Sequence, residues 1–188
     1  MQTLSDLYFA SSNRHKFEEA RSILSHFGVG LKFFRCTLEE IQSPSLAAVA
    51  RHKARQAGML CSKPVIVEDA GLFIDSLKGF PGPYSSFAFD TIGNRGILRL
   101  VTGRRGASFR SVIAYQEGKG SPRIFEAEVR GKISRKMHGT RWGFDPIFVP
   151  EGRKDTYSKI ADKNSVSHRF LALEKFASWY LGRRLSSG

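Results

Sequence analysis

Pro64-Val65-Ile66-Val67-Glu68-Asp69-Ala70-Gly71 is the stretch on which the reading of the fold turns. Three β-branched apolar residues after a proline read as a short buried strand. Two carboxylates then stand where the apolar run gives way, and Gly71 permits a backbone turn that a side chain would obstruct. Adjacent strand residues point to opposite faces, so Glu68 and Asp69 reach one ion only if the chain bends there. Carboxylates packed together repel and raise one pKa, whereas a divalent cation relieves the repulsion and keeps both ionised. A solvated strand end is the plain alternative for an acidic pair taken alone.

Upstream, Ser43-Pro44 opens a predicted helix, with Ser as cap and Pro at the first helical position, that runs through Ala47, Ala50, Ala54 and Ala57 toward Leu60. Further back, Leu7-Tyr8-Phe9-Ala10 reads as a strand entering Ser11-Ser12-Asn13. Phe17, Ala20, Leu24 and Phe27 then recur at helical spacing until Gly28. Downstream come a rigid turn at Gly79-Phe80-Pro81-Gly82-Pro83 and a short helix from Ile92 to Val101. Strands from Phe109 to Gln116 and from Arg123 to Ile133 flank a hairpin turn at 117–121. Ile147-Phe148-Val149 forms another strand, 151–164 a charged surface loop, and a closing helix from about Ser167 carries Leu171, Phe176, Trp179 and Tyr180. With 188 residues, the chain suits one sizeable core, hence a single α/β domain over 1–188, in two lobes at most.

A net charge of +13 and a pI near 10.1 attract polyanions: nucleic acid, an anionic membrane surface or phosphate-rich small molecules. The basic residues are spread out, with short clusters at Arg51-His52-Lys53, Arg104-Arg105 and Arg183-Arg184 and no basic tail. Cys36 and Cys61 have neither disulfide-framework nor zinc-site spacing, which fits a reducing cytoplasm. No apolar run approaches the ~18 residues of a membrane span, and no signal segment opens the chain, so a soluble, cytoplasmic protein is expected.

Three further clusters carry chemistry. Ser11-Ser12-Asn13-Arg14-His15-Lys16, between a strand and a helix, offers backbone N–H groups and a lysine to an anion, or else simply caps the helix. Trp142-Gly143-Phe144-Asp145-Pro146 places two aromatics around a glycine and suits a stacked flat ring, or else an aromatic core beside a tight turn. Lys163, His168 and Arg169 bring cations close to the start of the closing helix, where they oppose the helix dipole unless something anionic offsets them.

Together and in this order, the motifs resemble those of the inosine triphosphate pyrophosphatases over nearly the whole chain, most closely the archaeal members. They are Ala10-Ser11-x-Asn13-x-x-Lys16, Val67-Glu68-Asp69-x-Gly71-Leu72, Gly79-Phe80-Pro81-Gly82-x-Tyr84-Ser85, Gly143-Phe144-Asp145-Pro146-Ile147-Phe148 and Lys163-x-x-x-Ser167-His168-Arg169. The resemblance implies an elongated mixed β-sheet with flanking helices in two lobes around a cleft, a homodimer, and Mg²⁺-dependent hydrolysis of non-standard purine nucleoside triphosphates (ITP, dITP, XTP) to monophosphate and pyrophosphate. It assigns phosphate binding to Ser11, Ser12, Asn13 and Lys16, metal binding to Glu40, Glu68 and Asp69, and catalysis to Asp69, as the base, and to Lys16. Trp142, Gly143, Phe144 and Asp145 would line the base pocket, and Lys163, His168 and Arg169 would read the purine.

The chain departs from the family pattern at Ala70, where a substrate-contacting Ser is usual, at Ser12, where Gly is common, and at Lys159, where an acid is expected. Losing one hydrogen bond at Ala70 costs about 0.5–1.5 kcal/mol. A basic nucleic-acid-binding module and a pyrophosphatase for modified pyrimidine nucleotides are the alternatives. No specific nucleic-acid motif supports the first.

Overall fold

The computed structural model describes residues 6–185. Among them six strands form one sheet in the order β2-β1-β3-β4-β5-β6. The chain divides into two compact units, Met1–Asp69 with Val112–Ala127 and Arg169–Gly188, and Ala70–Ser111 with Glu128–His168.

The first unit is built on parallel crossovers. Strand β1 (Tyr8–Ser11) pairs in parallel with β2 (Lys32–Arg35) on one side and with β3 (Val65–Ile74) on the other. Helix α1 (Arg14–His26) connects β1 to β2 and buries Phe17, Ala20, Ile23 and Leu24. Helix α2 (Leu46–Cys61) connects β2 to β3 and buries Leu46, Val49, Ala50, Lys53, Ala54 and Ala57. Phe9 and Ile66 on the strands, and Phe176 and Ala177 on the last helix, α5 (His168–Leu185), complete this core. Such wholly buried parallel strands read as continuous apolar runs, as Val65-Ile66-Val67 does.

The second unit holds α3 (Ser85–Thr91) and α4 (Gly93–Leu100). Short β6 (Phe148–Pro150) runs antiparallel to β5 (Arg123–Ile133), so the sheet is mixed. Strand β4 (Gly106–Gln116) precedes β5 in sequence and lies beside it. Leu72, Ile97, Phe109, Phe144, Phe148 and Tyr157 form its core.

Two expectations need correction, and two elements were not foreseen. The strand does not turn at Gly71 but continues to Ile74. Glycine is needed there because a Cβ would run into the carbonyl group of Gly82. Helix α2 begins after Ser45, whose Oγ accepts the Ala48 N–H at 3.2 Å, and not at Ser43-Pro44. Strand β2 and helix α3 were not predicted. Lys32-Phe33-Phe34-Arg35 has apolar residues only at its centre, and Ser85-Ser86-Phe87-Ala88-Phe89 sets its apolar residues side by side rather than at helical spacing.

Candidate active site

In the first unit the residues expected to bind phosphate, Ser11, Ser12, Asn13 and Lys16, lie from the end of β1 to the first turn of α1. Ser11 Oγ accepts the Asn13 N–H at 3.0 Å, and Asn13 is the N-cap of α1, its Oδ1 accepting the Lys16 N–H at 3.2 Å. Both side chains therefore shape the turn, which leaves the backbone and Lys16 to meet an anion. Ser12 is exposed and Lys16 half-buried. Burial lowers the Lys16 pKa despite the opposing fields of Glu68 and Asp69, while Lys53 and Arg169 push in the same direction as burial.

The acids divide between two cations. Asp69 is buried, and Lys53 Nζ lies 3.4 Å from its Oδ1 and 2.6 Å from Glu40 Oε1. Burial raises the Asp69 pKa against the pull of Lys53 and Lys16. Burial also disfavours the Lys53 charge, but Asp69 and then Glu40 outweigh it and hold that ammonium above its usual range. Glu68, next along the strand and hence on the other face, is gripped by Arg169 Nε at 2.8 and 3.0 Å, and Arg169 Nη1 also binds Glu19. Arg169 is 2% exposed, and its guanidinium is firmly charged: burial opposes the charge, but Glu68 and then Glu19 outweigh it.

Of the three carboxylates grouped by the sequence reading, Asp69 and Glu40 share Lys53, while Glu68 pairs with Arg169. No cluster of three or more His, Cys, Asp or Glu side chains able to hold a metal occurs among the described residues. Asp69 Oδ2, however, is buried without a hydrogen-bond partner. An orphaned carboxylate oxygen costs free energy unless something positive or protic meets it. Mg²⁺ keeps several waters and takes one or two protein carboxylates alongside phosphate oxygens. Asp69 and Glu40 fit that requirement, while Glu68 has both its oxygens engaged by Arg169 Nε.

In the second unit the predicted base-lining turn is buried apart from Trp142, which is half-buried. Gly143 has φ +68, and its carbonyl accepts from Asn94 Nδ2 at 3.0 Å. Phe144 meets Phe89 edge-on at 5.4 Å. Lys163 Nζ donates to Asp145 Oδ2 at 2.6 Å, both side chains being buried. The His168 ring stacks on Phe109 at 4.5 Å and 6°. Ala70 opens this unit, half-buried, and Lys159 N–H closes a turn on the Thr156 carbonyl at 2.8 Å.

Of the predicted residues, Lys16, Glu68, Asp69 and Arg169 share one electrostatic cluster in the first unit, while Trp142, Gly143, Phe144, Asp145, Lys163 and His168 belong to the second. The sequence reading missed Lys53, seen there only as part of a basic triplet. The signal was present: Lys53 lies three residues after Ala50 and four before Ala57, on the buried face of α2, where a charged residue needs a partner.

A model of the Ham1 family matches residues 7–179. The dITP/XTP pyrophosphatase of Methanopyrus kandleri is 46% identical over 177 residues, 92% of this chain and 94% of that protein. The dITP/XTP pyrophosphatase of Methanothermobacter marburgensis is 45% identical over the same shares. Among solved structures, a HAM1 protein from Coxiella burnetii superposes with TM-score 0.82 at 28% identity, covering 95% of this chain and 100% of that one. With the family model spanning most of its length and archaeal relatives matching nearly end to end, this chain belongs to the Ham1 family.

Proposed function

We propose that the protein hydrolyses non-standard purine nucleoside triphosphates, of the dITP, XTP and ITP kind, between the α and β phosphates. The products are the nucleoside monophosphate and pyrophosphate. The observation that carries this reading is the buried Asp69, its Oδ2 unpartnered, beside Lys53 and Glu40 and within the field of Lys16. A carboxylate raised by burial among cations is suited to accepting a proton. The names of the archaeal relatives support the same substrate class.

Lys16 and the amides of the β1–α1 turn would bind phosphate oxygens, and Lys53 would balance charge on the departing pyrophosphate. Asp69 Oδ2 would take a proton from the attacking water as its oxygen bonds to the α phosphorus and the bridging P–O bond breaks. Glu40 and Asp69 would hold Mg²⁺, which supplies charge neutralisation and orientation of the polyphosphate. In the second unit Trp142 and Phe144 would pack against the ring, and Lys163 and His168 would donate toward a 6-keto oxygen. Adenine presents an amino group there and leaves such donors unpaired, a mismatch that sites built to hydrogen-bond reject strongly. Arg169, occupied by Glu68 and Glu19, would act as a strut holding β3 to α1 and α5.

The test is a panel of purine and modified pyrimidine triphosphates with Mg²⁺ and product identification. Pyrophosphate with preference for dITP, XTP and ITP is expected. Release of orthophosphate, or preference for ATP or for a pyrimidine, overturns the assignment.

We also infer a homodimer. Phe80, Tyr84 and Phe87 are 41%, 45% and 70% exposed within one short segment of the second unit, and clustered exposed aromatics mark association surfaces.

A further inference from the structure

Asn94 is a buried residue of the second unit whose bonding neither the core nor the proposed chemistry explains. It lies in the first turn of α4 and is 8% exposed. Its Nδ2 donates to the Gly143 carbonyl at 3.0 Å, while its Oδ1 is buried with no hydrogen-bond partner. A buried amide half-satisfied in this way costs more than an apolar side chain of the same size. Stability alone does not favour an asparagine here, so the donated hydrogen bond is the feature to explain.

That bond acts on a glycine held in the left-handed region of backbone space. Gly143 sits at φ +68, and a Cβ built there meets nothing within 4 Å. Glycine is required by conformation rather than by crowding. The peptide between Gly143 and Phe144 is planar and trans, so fixing the carbonyl of Gly143 toward α4 turns the Phe144 N–H the opposite way. The same anchor settles the two side chains that follow. Phe144 is then held edge-on by Phe89, and Asp145 receives Lys163 Nζ at 2.6 Å.

We propose that Asn94 is a positioning residue for base recognition: through the Gly143 carbonyl it sets the orientation of the 143–144 peptide and of the Phe144 and Asp145 side chains that meet the purine ring. The inference rests on the assignment of this turn to the base, but not on the hydrolytic chemistry. Asn94 touches no phosphate-binding group, so its loss should be felt by the ring and not by the polyphosphate.

The experiment compares wild type with Asn94→Asp, which is isosteric but presents an acceptor to the Gly143 carbonyl, and with Asn94→Ser, which retains a shorter donor. Steady-state kinetics with dITP is run beside competition by inorganic tripolyphosphate, a probe with no ring. One hydrogen bond corresponds to about a three- to tenfold change in affinity. The expected result for Asn94→Asp is a dITP KM raised at least threefold with kcat within twofold, a reduced preference for dITP over dATP, and an unchanged tripolyphosphate inhibition constant. Asn94→Ser should fall between the two. A dITP KM and a dITP/dATP preference equal to wild type overturn the positioning role while leaving the proposed function standing. Tripolyphosphate inhibition weakened in step with dITP shows general damage and also overturns it. A wild-type enzyme indifferent to the ring removes the base assignment itself.

Discussion

Asp69 concentrates the chemistry at the scale of single residues. Asp69→Asn keeps shape and removes the proposed base, so turnover should fall by about 10²–10⁴ with unchanged circular dichroism; turnover within tenfold of wild type removes Asp69 from the mechanism. The same variant reports on the metal. Burial raises the folded-state pKa of Asp69, so without metal the folded chain binds more protons than the unfolded one just above the ordinary aspartate range. Stability should therefore fall as pH rises through that window, relative to Asp69→Asn, in denaturant titrations with chelator present. Mg²⁺ at neutral pH should raise the wild-type melting temperature and leave Asp69→Asn unmoved. Arg169 offers a contrasting case, since it is surrounded by Glu68 and Glu19 and hardly exposed. Arg169→Met leaves buried carboxylates uncompensated and should cost about 3–5 kcal/mol in urea denaturation; pairing it with Glu68→Met should recover part of that loss.

Elements were legible in the sequence wherever one periodicity dominated. The apolar run of β3, the helical spacing of Phe17, Ala20 and Leu24 in α1, and the hairpin of β4 and β5 all emerged from local pattern. Strand β2 was not legible, because its four residues are held by pairing to β1 rather than by their own alternation. The candidate site was legible as residue types in order, and Asp69 and Lys16 do share one electrostatic neighbourhood. Which acid meets which cation was not, since Arg169 lies 101 residues from Glu68 along the chain. The straight course of β3 through Gly71 depends equally on a distant contact, the Gly82 carbonyl, braced by Ser85 Oγ, which accepts the Leu72 N–H at 2.8 Å and donates to Gly82 O at 2.7 Å. Gly71→Ala should therefore force β3 and the 79–85 segment apart. The expected cost is about 1–3 kcal/mol, seen as a melting temperature lower by roughly 2–12 °C; an unshifted melt would show that the segment yields freely.

Assembly belongs to the whole molecule. Phe87, at 70% exposed, is the most accessible aromatic of the exposed cluster. Phe87→Asp should halve the mass measured by light scattering from twice 21.0 kDa to 21.0 kDa while leaving the melting profile of the second unit's core intact; a wild type that already runs at 21.0 kDa refutes the dimer. The basic surplus gives such measurements a salt dependence, because exposed charges are screened within about 10 Å at 0.1 M.

The grip of Arg169 on Glu68 and Glu19 also bears on how the chain matures on the ribosome. Ala172, Leu173, Phe176 and Ala177 complete the apolar interior begun by Leu7 and Phe9, so the helix that covers that interior and carries the partner of Glu68 and Glu19 is translated well after both. A nascent polypeptide halted before residue 169 would expose that interior together with two uncompensated acids, and should bind a hydrophobic dye that the folded chain excludes.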